Sequence, residues 1–136
     1  MASVSVEITT RASPAQSWDA VRDVGALHTR LVPGFVVDTA LIPGGRRVTF
    51  TGGRVVDEPI IDCNDQIRRL VWTLVYGQSP ITHYNSAVQV FAHETGGSRL
   101  LWTTDVLPHE AAAMLKGLMQ QGAAAMTAAL DKIADA

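Results

Sequence analysis

Cysteine is nearly absent from this 136-residue chain: Cys63 stands alone, which excludes an internal disulfide and a thiolate metal cluster. It is read as a packed free thiol. Charge is sparse, at 18% Asp, Glu, Lys and Arg against about 25% in average soluble domains, and it nearly balances to a formal net charge of −2. There is no basic run to meet a phosphate backbone or an anionic membrane surface, so nucleic acid is not an expected partner. No apolar run approaches the roughly 18 residues of a membrane span, and the N-terminus lacks a basic region leading into a hydrophobic stretch. Membrane insertion is therefore not expected, and a soluble cytoplasmic protein is. The phosphate-cradling Gly-rich loop, the dinucleotide fingerprint and the Gly-x-Ser-x-Gly elbow are missing too, so neither a nucleotide cofactor nor serine hydrolysis is expected. His28, His83, His93 and His109 are scattered without a pair at metal spacing. His109-Glu110 opens like a zinc-protease motif, but Ala113 stands where the second His belongs. No metal site and no cofactor follow from these residues. His109 is read as a surface or capping residue, and His28 as a surface residue near the cavity mouth.

What the chain does hold is apolar side chain, 47% of its residues. That exceeds what a simple surface requires, and the surplus lines a pocket, covers a homodimer interface, or both. The length suits one domain spanning residues 1–136, large enough to bury a core without staples. Val4, Val6 and Ile8 alternate with Ser5, Glu7 and Thr9, the period of a half-buried strand. Ser13-Pro14 supplies an N-cap and a first-turn proline for a helix over 14–24, and a second short helix is expected over 25–32, closed by Pro33-Gly34. Six strand-like segments follow, at 35–42, 47–51, 54–62, 67–76, 82–93 and 99–107. They are separated by Pro43-Gly44-Gly45, Gly52-Gly53, Asn64-Asp65, Gly77 to Pro80 and Gly96-Gly97. Such short connections imply antiparallel neighbours.

From Pro108 to Ala136 the period changes to that of a long helix. Leu115, Leu118, Met119, Gly122, Met126, Ala129, Leu130 and Ile133 draw one apolar stripe that needs a partner, and a curved antiparallel sheet is the natural one. Met114, Met119 and Met126 offer adaptable contacts to a ligand in a cavity between helix and sheet, or else are ordinary core.

The order strand, two helices, six strands and long helix is that of the helix-grip fold. Through "RASPAQSWDAVRDV", "LVPGF", "RLVWTLVYG" and "GGSRLLWTTDVLP", the chain resembles the START/Bet v 1-like (SRPBCC) superfamily, in particular its bacterial polyketide cyclase/dehydrase and lipid-transport type. The resemblance implies an α+β fold: a curved seven-stranded antiparallel sheet, two short helices, and a long C-terminal helix over an internal cavity. It also implies a small hydrophobic ligand. The stretches "GGRRVTF", "VVDEPIIDCND" and "THYNSAVQVF" are similar to strands of plant abscisic-acid receptors, where a Glu, a Tyr and a Ser contact the ligand. Those positions fall here on Glu58, Tyr84 and Ser86. The receptors' ligand-carboxylate lysine has no counterpart, so reuse of the pocket walls is implied and abscisic acid is not.

Read on their own, these residues leave alternatives. Glu58 is either turned inward, where desolvation raises its pKa and it serves as acid or base beside Tyr84, or it faces solvent. Tyr84, Ser86, Val88 and Val90 share a strand face that lines the cavity or is plain core; Leu100, Trp102, Thr104 and Val106 form the corresponding inner row. Arg30, Arg46 and Arg47 either meet a ligand carboxylate near the mouth or are solvated hairpin arginines. Leu70, Trp72, Leu74 and Tyr76 share one face of their strand, Val71, Thr73 and Val75 the other, hinting at a covered outer face. Three functions fit. The first is binding of a lipid, polyketide, terpenoid or aromatic metabolite by Glu58, Tyr84, Ser86, Val88, Trp102, Thr104, Met119 and Met126. The second is a cofactor-independent cyclase, aromatase or dehydratase with Glu58 and Tyr84 as its catalytic acid/base pair. The third is a partner-binding module using the strand around Trp72.

Overall fold

The computed structural model describes residues 1–77 and 79–136; position 78, within the expected Gly77 to Pro80 turn, lies outside the described residues. The N-terminal alternation forms β1 (Ala2–Thr10), with Val4, Ile8 and Thr10 buried. Ser13 then starts α1 (Pro14–Arg22) through a reciprocal capping box: its Oγ accepts the Gln16 N–H at 3.1 Å, and Gln16 Oε1 accepts the Ser13 N–H at 2.9 Å. The second short helix is a 3₁₀ turn (Val24–Ala26) running into a π turn (Leu27–Leu31). The strands are β2 (Val36–Ile42), β3 (Gly45–Phe50), β4 (Val55–Asn64), β5 (Arg69–Trp72), β6 (His83–Ala92) and β7 (Ser98–Leu107). A 3₁₀ turn (His109–Ala111) leads into α2 (Ala112–Ala134).

All seven strands form one antiparallel sheet in the order β1-β7-β6-β5-β4-β3-β2. Its register aligns inward-facing side chains in transverse rows. Val4, Thr104, Ser86, Trp72 and Ile60 make one row across five strands, and Val6, Trp102, Val88 and Leu70 make the next. The stripe of α2 closes over the concave face with Leu115, Met119, Gly122, Met126, Ala129 and Leu130 buried. Met114 departs from expectation: it sits off that stripe and is 56% exposed.

The expected strand over 67–76 is cut to Arg69–Trp72. Asn64 Oδ1 accepts the N–H groups of Gln66 and Ile67, and Arg68 takes a positive φ of 52°, so the chain is still turning at position 68. Beyond Trp72 the chain stays beside β4, with Thr73 N–H donating to Pro59 O and Val75 N–H to Asp57 O, but it leaves the β6 ladder. Side chains fill the gap: Thr73 Oγ1 donates to Tyr84 O at 2.5 Å, and Tyr76 Oη accepts the Tyr84 N–H at 3.0 Å. On the outer face of this segment Val71 is buried while Val75 is 60% exposed. Cys63, expected to be packed, is exposed near the end of β4, beyond a register shift between Ile60 and Asp62.

The two ends of the chain are tied together. Asp131 of α2 accepts from Thr10 Oγ1 at 2.6 Å and from the Arg11 N–H at 2.9 Å. These bonds hold the Asp131 carboxyl below its ordinary pKa.

Two glycines of α2 make opposite predictions. A Cβ at Gly122 would stand 2.9 Å from Trp102 Cζ3, whereas one at Gly117 would meet nothing within 4 Å. Gly117→Ala should stabilise by about 0.5–1 kcal/mol through helix propensity alone. Gly122→Ala should destabilise by about 1–3 kcal/mol through overpacking. Urea unfolding of the two variants checks both signs.

Candidate functional site

The hairpin β3–β4 turns at Gly52-Gly53, and its antiparallel register sets Arg46 opposite Glu58 and Arg47 opposite Asp57. Because side chains alternate, one ion pair falls on each face of the sheet. The outer pair is solvated: Arg47 and Asp57 side chains are 53% and 30% exposed, joined at 2.8 and 3.0 Å. The inner pair is sealed: Arg46 and Glu58 side chains are 3% and 9% exposed, with Nε donating to Glu58 Oε1 at 2.8 Å. Gly45 makes this possible, since a Cβ there would collide with the backbone of Glu58 and Pro59. Glu58 thus points inward, and Arg46 is not a solvated hairpin arginine. Arg30 is a surface residue, bridging Asp19 of α1 at 2.6 Å and Asp23, just past the end of that helix, at 3.0 Å.

The Arg46 guanidinium lies over Trp72, with Cζ 5.3 Å from the ring centroid. Trp72 therefore faces the interior, 6% exposed. Its ring neighbours Trp102, with centroids 6.3 Å apart and planes tilted by 40°. Trp102 Nε1 donates to Ser86 Oγ at 2.8 Å, and Ser86 shares a 2.8 Å hydrogen bond with Thr104. Tyr84, on the same face of β6, is 8% exposed.

A polar band thus crosses an otherwise apolar concave face, from Arg46 and Glu58 to Tyr84, Ser86 and Thr104. Burial pushes the Glu58 carboxyl above its ordinary pKa, against the opposing pull of Arg46. Burial, reinforced by the Glu58 carboxylate, pushes the Tyr84 phenol up to about 12. Val88, Met119 and Met126 complete the surroundings, at 1%, 1% and 3% exposure. All eight site residues named from the sequence are buried. Arg46 as partner of Glu58, and Trp72 as its platform, were missed. Hairpin arithmetic about Gly52-Gly53 could have found the first.

The space between α2 and the sheet is packed around Trp72 and Trp102. Open clefts lie elsewhere. One of about 430 Å³ is lined by Arg47, Arg54, Val55, Tyr76 and neighbours, and one of about 220 Å³ by Thr9, Thr10, Arg11, Thr95 and Asp131. Neither reaches the apolar stripe of α2. His28 is half-buried, its Nδ1 3.0 Å from Thr39 Oγ1, and His109 is exposed. Among the described residues no cluster of three His, Cys, Asp or Glu side chains could hold a metal, and no helix is long and apolar enough to cross a membrane.

A family profile described as polyketide cyclase/dehydrase and lipid transport matches residues 1–133. No curated protein sequence matches significantly. Among solved structures, the XoxI protein of Bacillus cereus superposes with a TM-score of 0.85 at 22% identity, over 96% of each chain. A Streptomyces aromatase/cyclase, ZhuI, gives 0.76 at 16% identity over 98% of this chain and 93% of its own. Norcoclaurine synthase of Thalictrum flavum gives 0.71 at 22% identity over 97% and 85%. At these identities the superpositions establish the helix-grip fold and nothing about substrates.

Removing one partner of a sealed ion pair strands the other. Arg46→Ala should cost about 3–5 kcal/mol, while Arg46→Met/Glu58→Leu should fall much closer to the parent. Glu58 already has its folded pKa raised, so its contribution to stability is fully present below the unfolded carboxylate pKa and is lost as pH rises through the folded one. Without Arg46 the folded pKa rises further, so the deficit of Arg46→Ala should widen from acid to neutral pH. Denaturant unfolding across that range measures it.

Proposed function

This chain belongs to the polyketide cyclase/dehydrase and lipid-transport family, and from that premise we propose that it holds one small hydrophobic molecule between α2 and the concave face of the sheet. The observation that carries the reading is the sealed Arg46–Glu58 pair over Trp72. Desolvating two charges costs several kcal/mol, at about the level their attraction returns, and an apolar pair would hold the hairpin as well. A polar pair with such a poor return for stability makes sense as an orienting group in an apolar binding region. Glu58, Tyr84, Ser86 and Thr104 fix the polar end of the ligand in this reading. Val88, Trp102, Met119 and Met126 bury its carbon, each square ångström contributing about 25 cal/mol. The tightly filled interior requires Trp102 and the unbranched methionines to give way, which thioether side chains do readily. A lipid, polyketide, terpenoid or aromatic metabolite meets these conditions.

A cyclase, aromatase or dehydratase is the second reading, favoured by one observation. Glu58 carries a raised pKa beside a phenol that stays protonated, so the carboxylate acts as base and Tyr84 as proton donor. No cofactor is needed for that chemistry.

Native mass spectrometry of the purified protein, followed by organic extraction, tests the binding reading. One hydrophobic molecule per chain is expected. An empty protein whose melting temperature is unmoved by lipids and polyketide-like aromatics would return the band to ordinary core. Glu58→Gln separates the two readings once a ligand is known: affinity changes only a few-fold in a binder, whereas turnover falls by about 10²–10⁴ in an enzyme.

A further inference from the structure

The two ion pairs of the β3–β4 hairpin differ in more than exposure. Arg47 grips Asp57 with Nε and Nη2 together. Arg46 reaches Glu58 through Nε alone, and among the described residues its Nη groups have no hydrogen-bond acceptor. Yet no fully sealed side-chain nitrogen or oxygen among those residues lacks a partner. The 3% of the Arg46 side chain that remains exposed is accordingly assigned to its Nη end. The guanidinium is therefore stacked over Trp72, clamped at Nε, and left with Nη donors that no described residue accepts from. Two coplanar acceptor oxygens suit such a fork better than a single hydroxyl does.

A second carboxylate arriving there would place two anions on one buried cation. The charged and titratable groups set against Glu58 are Arg46 from β3 and Tyr84 from β6. The buried face of α2 brings Leu115, Met119, Gly122, Met126, Ala129 and Leu130, none of them charged, and His28 of the π turn is engaged with Thr39. Tyr84 already holds its proton, so Glu58 is the group able to accept one.

We propose that the ligand is a hydrophobic weak acid whose carboxylate takes the Nη donors of Arg46, and that one proton passes from water to Glu58 as it binds. Arg46 then faces one anion, the ligand's, while neutral Glu58 stays in the band. This rests on the reading that a hydrophobic molecule lies between α2 and the sheet, and it specifies that molecule's class.

Titration calorimetry with two matched pairs tests it: decanoate against decanol, and 1-naphthylacetate against 2-(1-naphthyl)ethanol, in buffers of different ionisation enthalpy. Each acid should bind about tenfold or more tightly than its alcohol. Its affinity should fall about tenfold per pH unit above the Glu58 pKa, with uptake of about one proton. Glu58→Gln should flatten that profile, and Arg46→Met should erase the preference for acids. If Arg46→Met fails to fold, Arg46→Met/Glu58→Leu carries the same comparison. Equal binding of acids and alcohols would overturn the inference and leave the hydrophobic-ligand reading standing. Binding of neither pair would remove both.

Discussion

The fold depends on the contact between Trp102 and the notch at Gly122. A sheet with two free edges has to be closed from its concave side, and α2 is the element long enough to do so. The helix comes close because Gly122 leaves room for an indole ring, which then fills the middle of the interior. An indole buried this deeply brings an N–H that needs an acceptor. Ser86 supplies it, and Thr104 in turn bonds Ser86. Part of the polar band is thus a consequence of how the helix is seated. The Arg46–Glu58 pair is not: it is carried on the inner face by β3 and β4, strands that do not bear Trp102, and satisfies no demand of the α2 contact.

Most of the architecture was legible because it rests on local chemistry. Alternation marked β1, β6 and β7, glycine pairs marked the hairpins, and Ser13-Pro14 marked the start of α1. What was not legible depends on position in the whole. Val, Leu and Tyr after Trp72 have strand propensity, yet Thr73 and Tyr76 bond Tyr84 with their side chains instead of extending the ladder. Met114 has the composition of a core residue but the wrong angle on α2. Cys63 lies exposed near the end of β4, a position in the sheet that no propensity encodes.

Arg46 is the most instructive miss. Two adjacent arginines beside a glycine turn read as solvated, and for Arg47 that is correct. Register decides the difference, because neighbouring residues on a strand point to opposite faces. The same hairpin therefore carries one ion pair that salt and water screen and one that they barely reach. Two Arg–carboxylate pairs at adjacent positions of one hairpin thus sit in opposite surroundings, one solvated and one enclosed.

The two indoles set 6.3 Å apart at a 40° tilt form a chiral pair of chromophores, with a cation resting on one of them. Two such transitions couple, and the coupling depends steeply on their separation and angle. Trp18, the remaining indole, is tied separately by its Nε1 to Asp65. The near-ultraviolet circular dichroism of this protein therefore carries a contribution from the Trp72–Trp102 pair, and whatever parts those rings changes the spectrum without any label.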